Sequence, residues 1–360
     1  MFINTLDFLF DHTKSYSYDN KQQMQESCIM KKRFLVAALA AAMVSPLAAH
    51  AEATVYGNVH LSIDSYDVPD ANNGNTDELV MNSRTSAVGV KGKEDLGGGM
   101  SAIFKIEFQI DPSERCSNSV SGDCNAITDR DQWVGLKGAM GTVKFGTMSS
   151  NYKQMGGKID PMYRTALEGR GSMDMQSQLH GGAGENGGRM TNTFQYSSPK
   201  MSGVQAVFNY TFAGGADETM GLGVRYKTKS VLAYFDYLDV QAANGNNNIA
   251  APSTSEAAIK VGGSFKTGAM TFGLQFESTE DVLGLDTDYT FASFNYQIND
   301  NDNFALTLGD NGARDDMGYA LMYNHKMSKR TNVYVGYGDD TSTATADEQT
   351  VATVGMRHKF

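Results

Sequence analysis

Residues 100–111 read MSAIFKIEFQID. Met100, Ala102, Phe104, Ile106, Phe108 and Ile110 alternate with Ser101, Lys105, Glu107, Gln109 and Asp111. Successive side chains of a strand point to opposite faces, so this stretch is a strand with one apolar face and one charged face. The pattern repeats along the chain. In 257–266, Ala257, Ile259, Val261 and Phe265 alternate with Lys260, Gly262, Ser264 and Lys266. In 270–277, Met270, Phe272, Leu274 and Phe276 alternate with Thr271, Gln275 and Glu277. Segments 55–64 and 203–212 behave alike, and Arg225 and Lys227 also fall on a polar face.

Two architectures satisfy this alternation. In a soluble sandwich the apolar face is the core and the charges face water. In an outer-membrane barrel the apolar face meets lipid and the charges line a lumen. About sixteen segments of roughly 9–11 residues occur between Thr54 and Phe360, including one at 84–93, and that length suits a membrane-spanning strand. Short turns such as Gly97 to Gly99, Gly138 to Gly141 and Met327 to Arg330 alternate with long polar loops at 66–82, 112–128, 241–255 and 340–349. Short turns on one side and long loops on the other favour the barrel.

The N-terminus agrees. Lys31, Lys32 and Arg33 precede an apolar run from Phe34 to Val44, Pro46 breaks it, and Ala49-His50-Ala51 closes it. A basic start, a short apolar core and an A-x-A end read as a secretory signal over 30–51. Met30 stands directly before the basic triplet, so residues 1–29 read as a mis-called extension and the barrel as 52–360. Residues 1–51 hold five bases and four acids, which leaves the mature chain at about −12 against −11 for all 360 residues. That balance argues against nucleic-acid binding and, taken alone, suggests a mild preference for cations.

Cys28 precedes the mature chain, leaving Cys116 and Cys124. An even pair in an exported protein reads as a disulfide pinning one loop, with two free thiols as the alternative. No histidine lies near them to complete a metal site, and no organic cofactor is indicated. None of His60, His180, His325 and His358 has a catalytic context, so the chain does not read as an enzyme.

Residues 149–188 form the one long connection without strand periodicity, rich in Gly, Met and charge. Connections of that length are usually functional or disordered.

Several stretches together carry a resemblance. They are Val55-Tyr56-Gly57, Gly89-Val90-Lys91-Gly92-Lys93-Glu94-Asp95-Leu96-Gly97, Trp133 to Gly138 with Gly141 to Gly146, and Ser328-Lys329-Arg330-Thr331. Arg189, Asn192, Tyr196, Ser198 and Pro199 belong to the same set, as does the ending Val354 to Phe360. In this order they resemble the general diffusion porins of Gram-negative outer membranes, especially the neisserial and related proteobacterial branch. The resemblance implies an all-β, sixteen-stranded antiparallel transmembrane barrel with a long inward-folded third loop. It further implies a homotrimer passing ions and small hydrophilic solutes, in contact with outer-membrane lipids, lipopolysaccharide and the outer-membrane assembly machinery. A substrate-specific channel and a structural or adhesive barrel are the alternatives.

Carried over by position, Arg130 and Arg189 match wall arginines of the family's constriction and share the inward parity of their strands. Lys105 and Glu107 lie on the same face of the wall. The third loop maps onto 149–188, with Asp160 and Glu168 as its constriction acids. Thr147 stands where many relatives carry arginine. Arg84 has the family's Ser-Arg context but the parity of outward Val88 and Val90, so it sits at the rim or a bulge intervenes. Phe360, in phase with Val354, Met356 and His358, resembles the terminal aromatic read during assembly. Deleting Phe360 is expected to slow insertion into the outer membrane, followed as the appearance of folded barrel in pulse-labelled cells; wild-type kinetics would refute that role.

Overall fold

The computed structural model describes residues 52–70, 74–114, 127–170, 173–177, 179, 188–212, 219–239, 255–281, 284–314, 316–340 and 350–360. The signal at 30–51, Cys116, Cys124, His180 and the loops at 241–255 and 340–349 lie wholly or almost wholly outside those residues. The strands are β1 (Glu52–Asp70), β2 (Gly74–Ser83), β3 (Ala87–Gly97), β4 (Met100–Ile110), β5 (Ile127–Gly138) and β6 (Gly141–Ser149). A helix, α1 (Asn151–Ile159), precedes β7 (Arg189–Ser197), β8 (Val204–Thr211), β9 (Met220–Lys227), β10 (Val231–Asp239) and β11 (Ser255–Thr267). The remaining strands are β12 (Met270–Asp281), β13 (Asp286–Gln297), β14 (Asp302–Asn311), β15 (Gly318–Lys326), β16 (Thr331–Asp339) and β17 (Thr350–Lys359).

β2 and β3 both pair antiparallel with β1, each strand from β3 onward pairs antiparallel with the next, and β17 pairs β1, so the sheet closes on itself. Closure leaves no edge, which lipid demands because it offers backbone groups no hydrogen-bond partner. The seventeen ladder segments form sixteen barrel strands. β2 and β3 are two halves of one strand, both lying along β1, with Leu61 opposite Ser83 and Asn58 opposite Ala87. The break between them falls at Arg84-Thr85-Ser86, where Thr85 takes a left-handed φ of 58°.

That break corrects one expectation and, for Arg84, decides between the two alternatives in favour of an intervening irregularity. The span 66–82 is largely strand rather than loop: β1 runs on to Asp70 and β2 begins at Gly74. Arg84 does not sit outward or at the rim. The irregularity resets its parity, and it is buried against the wall, bonded to Ser62 at 3.0 Å and paired with Asp64.

Side-chain exposure distinguishes barrel from sandwich. On β11 and β12, Val261 and Phe276 are 54% and 48% exposed, whereas their charged neighbours Lys260 and Glu277 are 1% and 4% exposed. A continuous apolar outer band with the charges enclosed suits lipid outside and a polar lumen inside, the reverse of a soluble protein.

At the closing seam, Asp64 is wholly buried. It accepts from Ser62 Oγ at 2.9 Å, Asn82 Nδ2 at 2.7 Å and Thr353 Oγ1 at 2.6 Å, besides its Arg84 ion pair. One carboxylate thereby ties β1, β2 and β17 together. Four residues back along β1, His60 stands opposite Arg357, and its Nε2 lies 2.9 Å from the Tyr334 hydroxyl. The last rung joins Phe360 N–H to Gly57 O and Gly57 N–H to Phe360 O, both at 3.1 Å.

Arg84→Met strands a buried carboxylate, so it is expected to lower unfolding free energy by about 3–5 kcal/mol. Adding Asp64→Asn to it should restore much of that loss. Urea unfolding in micelles compares the two, and equal stability of wild type and Arg84→Met would refute the seam's importance.

Candidate functional site: a basic waist between the third loop and the β3–β7 wall

Half of the wall is covered by the segment after β6. Ser150 caps α1 by accepting from Lys153 N–H at 3.0 Å. The helix then fastens to inward-facing groups of β9 to β12. Asn151 Nδ2 donates to Asp236 at 2.9 Å, Tyr152 Oη donates to Glu277 at 2.8 Å, Arg225 donates to Asn151 O at 3.0 Å, and Lys260 donates to Tyr152 O. Further on, Met155, Ile159, Met162, Leu167, Met173 and Met175 form one apolar cluster with wall residues such as Phe291, Met322 and Tyr334. Methionine suits such a seat because its flexible thioether fills irregular gaps. Gly309 is needed beneath it, since a Cβ there would lie 2.3 Å from Met175 Cβ. Beyond the cluster, Asp174 accepts from Asn311 at 2.9 Å and pairs with Arg314 at 3.1 Å.

The uncovered wall carries an alternating chain of charges. Arg189 Nε meets Asp131 Oδ1 at 3.0 Å, and Asp131 Oδ2 meets Lys105 Nζ at 2.8 Å. Lys105 Nζ also reaches Glu107 Oε2 at 3.1 Å, and Glu107 Oε1 meets Arg130 Nε at 2.6 Å. Tyr56 Oη donates to Glu107 at 2.7 Å and Arg130 Nη1 to Gln109 at 3.0 Å. A β-bulge makes this possible. Between the pairs Ile106–Gln132 and Phe108–Asp129, the single residue Glu107 faces both Arg130 and Asp131. Two consecutive side chains therefore serve one face, which regular alternation forbids.

Between wall and loop lies a cavity of about 90 Å³. Its lining holds six basic side chains, Lys105, Arg130 and Arg189 from the wall and Lys153, Arg164 and Arg170 from the loop, against two acids, Glu107 and Asp131. Burial, reinforced by the nearby cations Arg170, Arg189 and Arg130, holds the Lys153 ammonium well below the usual lysine range. A second cavity of about 380 Å³ adjoins it on the side of the short turns, bounded by the Ser328–Thr331 turn, Arg357 and Lys359.

Sequence reasoning found Lys105, Glu107, Arg130 and Arg189, and the structure brings these four together. Asp160 and Glu168 are placed elsewhere. Asp160 accepts from Met162 N–H at 2.8 Å and Gly169 N–H at 2.9 Å. Glu168 accepts from Arg164 N–H at 2.8 Å and pairs with Arg170 at 3.1 Å. Both carboxylates are buried and neither lines the cavity, because the tight turns from 160 to 170 leave backbone N–H groups that only acceptors within the loop can satisfy. Alternation missed Asp131, because the bulge breaks parity there. It also missed Lys153, Arg164 and Arg170, which lie in a segment with no period to read and with four Lys/Arg balanced by four Asp/Glu, so composition gave no signal either.

Burial pushes the Asp160 carboxyl up to about 7, against the lowering effect of its two N–H donors. A carboxyl whose pKa is raised on docking binds its proton more tightly docked than free. Docking of 160–169 is thus most favoured below the ordinary carboxylate pKa of roughly 4, and that contribution is lost as pH rises through about 7. Open-channel current noise is expected to grow from acid to mildly alkaline pH in the wild type and to vary little in Asp160→Asn. Equal pH dependence in both would refute this.

The family model described as Gram-negative porin matches residues 37–345. The chain is 24% identical over 358 residues to the major outer membrane protein P.IB of Neisseria lactamica, covering 92% of this chain and all of that protein. Among solved structures, the anion-selective porin from Comamonas acidovorans superposes with a TM-score of 0.67 at 22% identity, over 86% of this chain and all of that one. The trimer form of OmpT from Vibrio cholerae superposes with a TM-score of 0.59 at 14% identity, over 86% and 99% of the two chains. With the closed barrel and its polar lumen, these matches mean that the chain is a multi-pass outer-membrane diffusion channel and belongs to the Gram-negative porin family.

Proposed function

We propose that this porin passes small hydrophilic solutes through a waist between the loop segment 150–179 and the β3–β7 wall, with a preference for anions. The observation that carries the reading is the charge lining the narrow cavity: five arginine and lysine cations, besides Lys153 whose charge burial disfavours, against two acids, and both acids already ion-paired to the wall bases. Net charge alone suggested the opposite preference. Low-dielectric walls focus the field of the nearest groups, so the charges at the waist outweigh those spread over the outer surface. The anion-selective Comamonas relative has the same fold, which is compatible with this reading.

The constriction then consists of Lys105, Glu107, Arg130, Asp131 and Arg189 on the wall with Lys153, Arg164 and Arg170 on the loop. Asp160 and Glu168 hold the loop's shape. The reading includes export by the 30–51 signal, a Cys116–Cys124 disulfide, a role for Phe360 in assembly, and no catalytic activity. It also includes a homotrimer set among outer-membrane lipids and lipopolysaccharide, supported by the trimer form of the Vibrio relative.

Reversal potentials across planar bilayers in a potassium chloride gradient test the central claim. The wild type is expected to favour chloride, and the double variant Arg130→Gln, Arg189→Gln to move markedly toward cations. A cation preference in the wild type would overturn the proposal.

A further inference from the structure

Among the described residues, Tyr163 alone lines both the narrow cavity and the wider cavity below it. It is also held firmly. Its ring lies over Gly157 of α1, where a Cβ would fall 2.3 Å from the ring, so only glycine leaves that seat open. The Arg170 guanidinium stacks 4.3 Å from the ring centroid and that of Arg164 lies 5.3 Å away. A cation over an aromatic face is attracted by the ring's quadrupole, most strongly where water is excluded. Both arginines are anchored through Glu168, Arg170 by its side chain and Arg164 by its backbone N–H. Arg164 itself adopts a left-handed φ of 72°, a conformation costly for a residue with a Cβ unless its surroundings impose it. The ring is therefore a rigid partition between the two chambers.

We infer that Tyr163 is the size-determining residue of the channel: its ring forms the sill between the waist and the lower chamber and sets the largest solute that passes. This rests on the reading that solutes cross between the loop and the β3–β7 wall. Charge plays no part in the claim, so neutral sugars are the probe. The hydroxyl plays no part either, because the ring alone supplies the bulk. The flanking guanidinium groups of Arg170 and Arg164 outweigh burial and bring the phenol below its usual range.

Liposome swelling with a pentose, a hexose and a disaccharide, on the refolded full-length mature barrel, separates the outcomes. Tyr163→Ala is expected to raise hexose and disaccharide entry several-fold, Tyr163→Trp to lower hexose entry, and Tyr163→Phe to match wild type. A loosened loop would make Ala and Trp shift entry in the same direction, and that result would overturn the inference. An unchanged cut-off in all three would overturn it too. If the cut-off stays fixed while Arg130→Gln, Arg189→Gln still shifts the reversal potential, the waist stands and only the sill falls. If neither measurement moves, the route itself is wrong.

Discussion

A backbone in hydrocarbon must find every hydrogen-bond partner within itself, and for a sheet that means closing the ring. Here closure falls on β1 and β17, and the consequences run through the whole wall. Once the sheet is closed, each strand has one face toward lipid and one toward the lumen. Each charge on a strand is then confined to a shared interior, where it meets other charges from neighbouring strands. Asp64 collects three hydrogen bonds and a guanidinium across the seam. Asp131 and Glu107 are each held between two bases. The ion pairs follow from the topology, and the topology follows from the solvent outside.

The loop divides that interior unequally. Toward β9–β15 it presents methionines, leucine and hydrogen-bonding groups, and it buries the charges there beneath it, as with Lys260, Glu277 and Asp236. Toward β3–β7 it presents Lys153, Tyr163, Arg164 and Arg170. The familiar picture of an acidic loop facing a basic wall fails for a local reason. A compact turn carries more backbone donors than acceptors that can reach them, so Asp160 and Glu168 are consumed inside the loop. Among the described residues of the loop, the charged ones that line the cavity facing the wall are basic.

The strands were legible because period two survives wherever one face meets lipid. Most strand boundaries fell within a few residues, and Lys105, Glu107 and Arg130 could be put on the lumen face by counting. Legibility failed where the physical cause of the period stops. β2 reads GNTDELVMNS, with little contrast between its faces, so nothing in it marks a strand; the pairing with the extension of β1 makes it one. Arg84 and Asp131 sit at irregularities, the first beside a left-handed Thr85 and the second in a bulge. An irregularity of one residue swaps the faces, and no local composition announces it. Inside 149–188 there is no repeating environment to produce a period, so the cations that face the wall were invisible as a group.

The same division explains why total charge and the charge lining the waist point to opposite preferences. A net charge of −11 counts every residue equally, but a permeating ion does not sample the chain equally. Salt screens exposed charges over about 10 Å, whereas charges at a narrow, low-dielectric waist act on the ion at contact distance. Fold and selectivity thus rest on different residues. Closure depends on the seam and the apolar outer band. The loop's position depends on its far side, where Tyr152, Met175 and Asp174 grip the wall. The near side supplies the ring and charges of the proposed waist, so substitutions at Tyr163 or Arg164 probe passage with the far-side anchorage left in place.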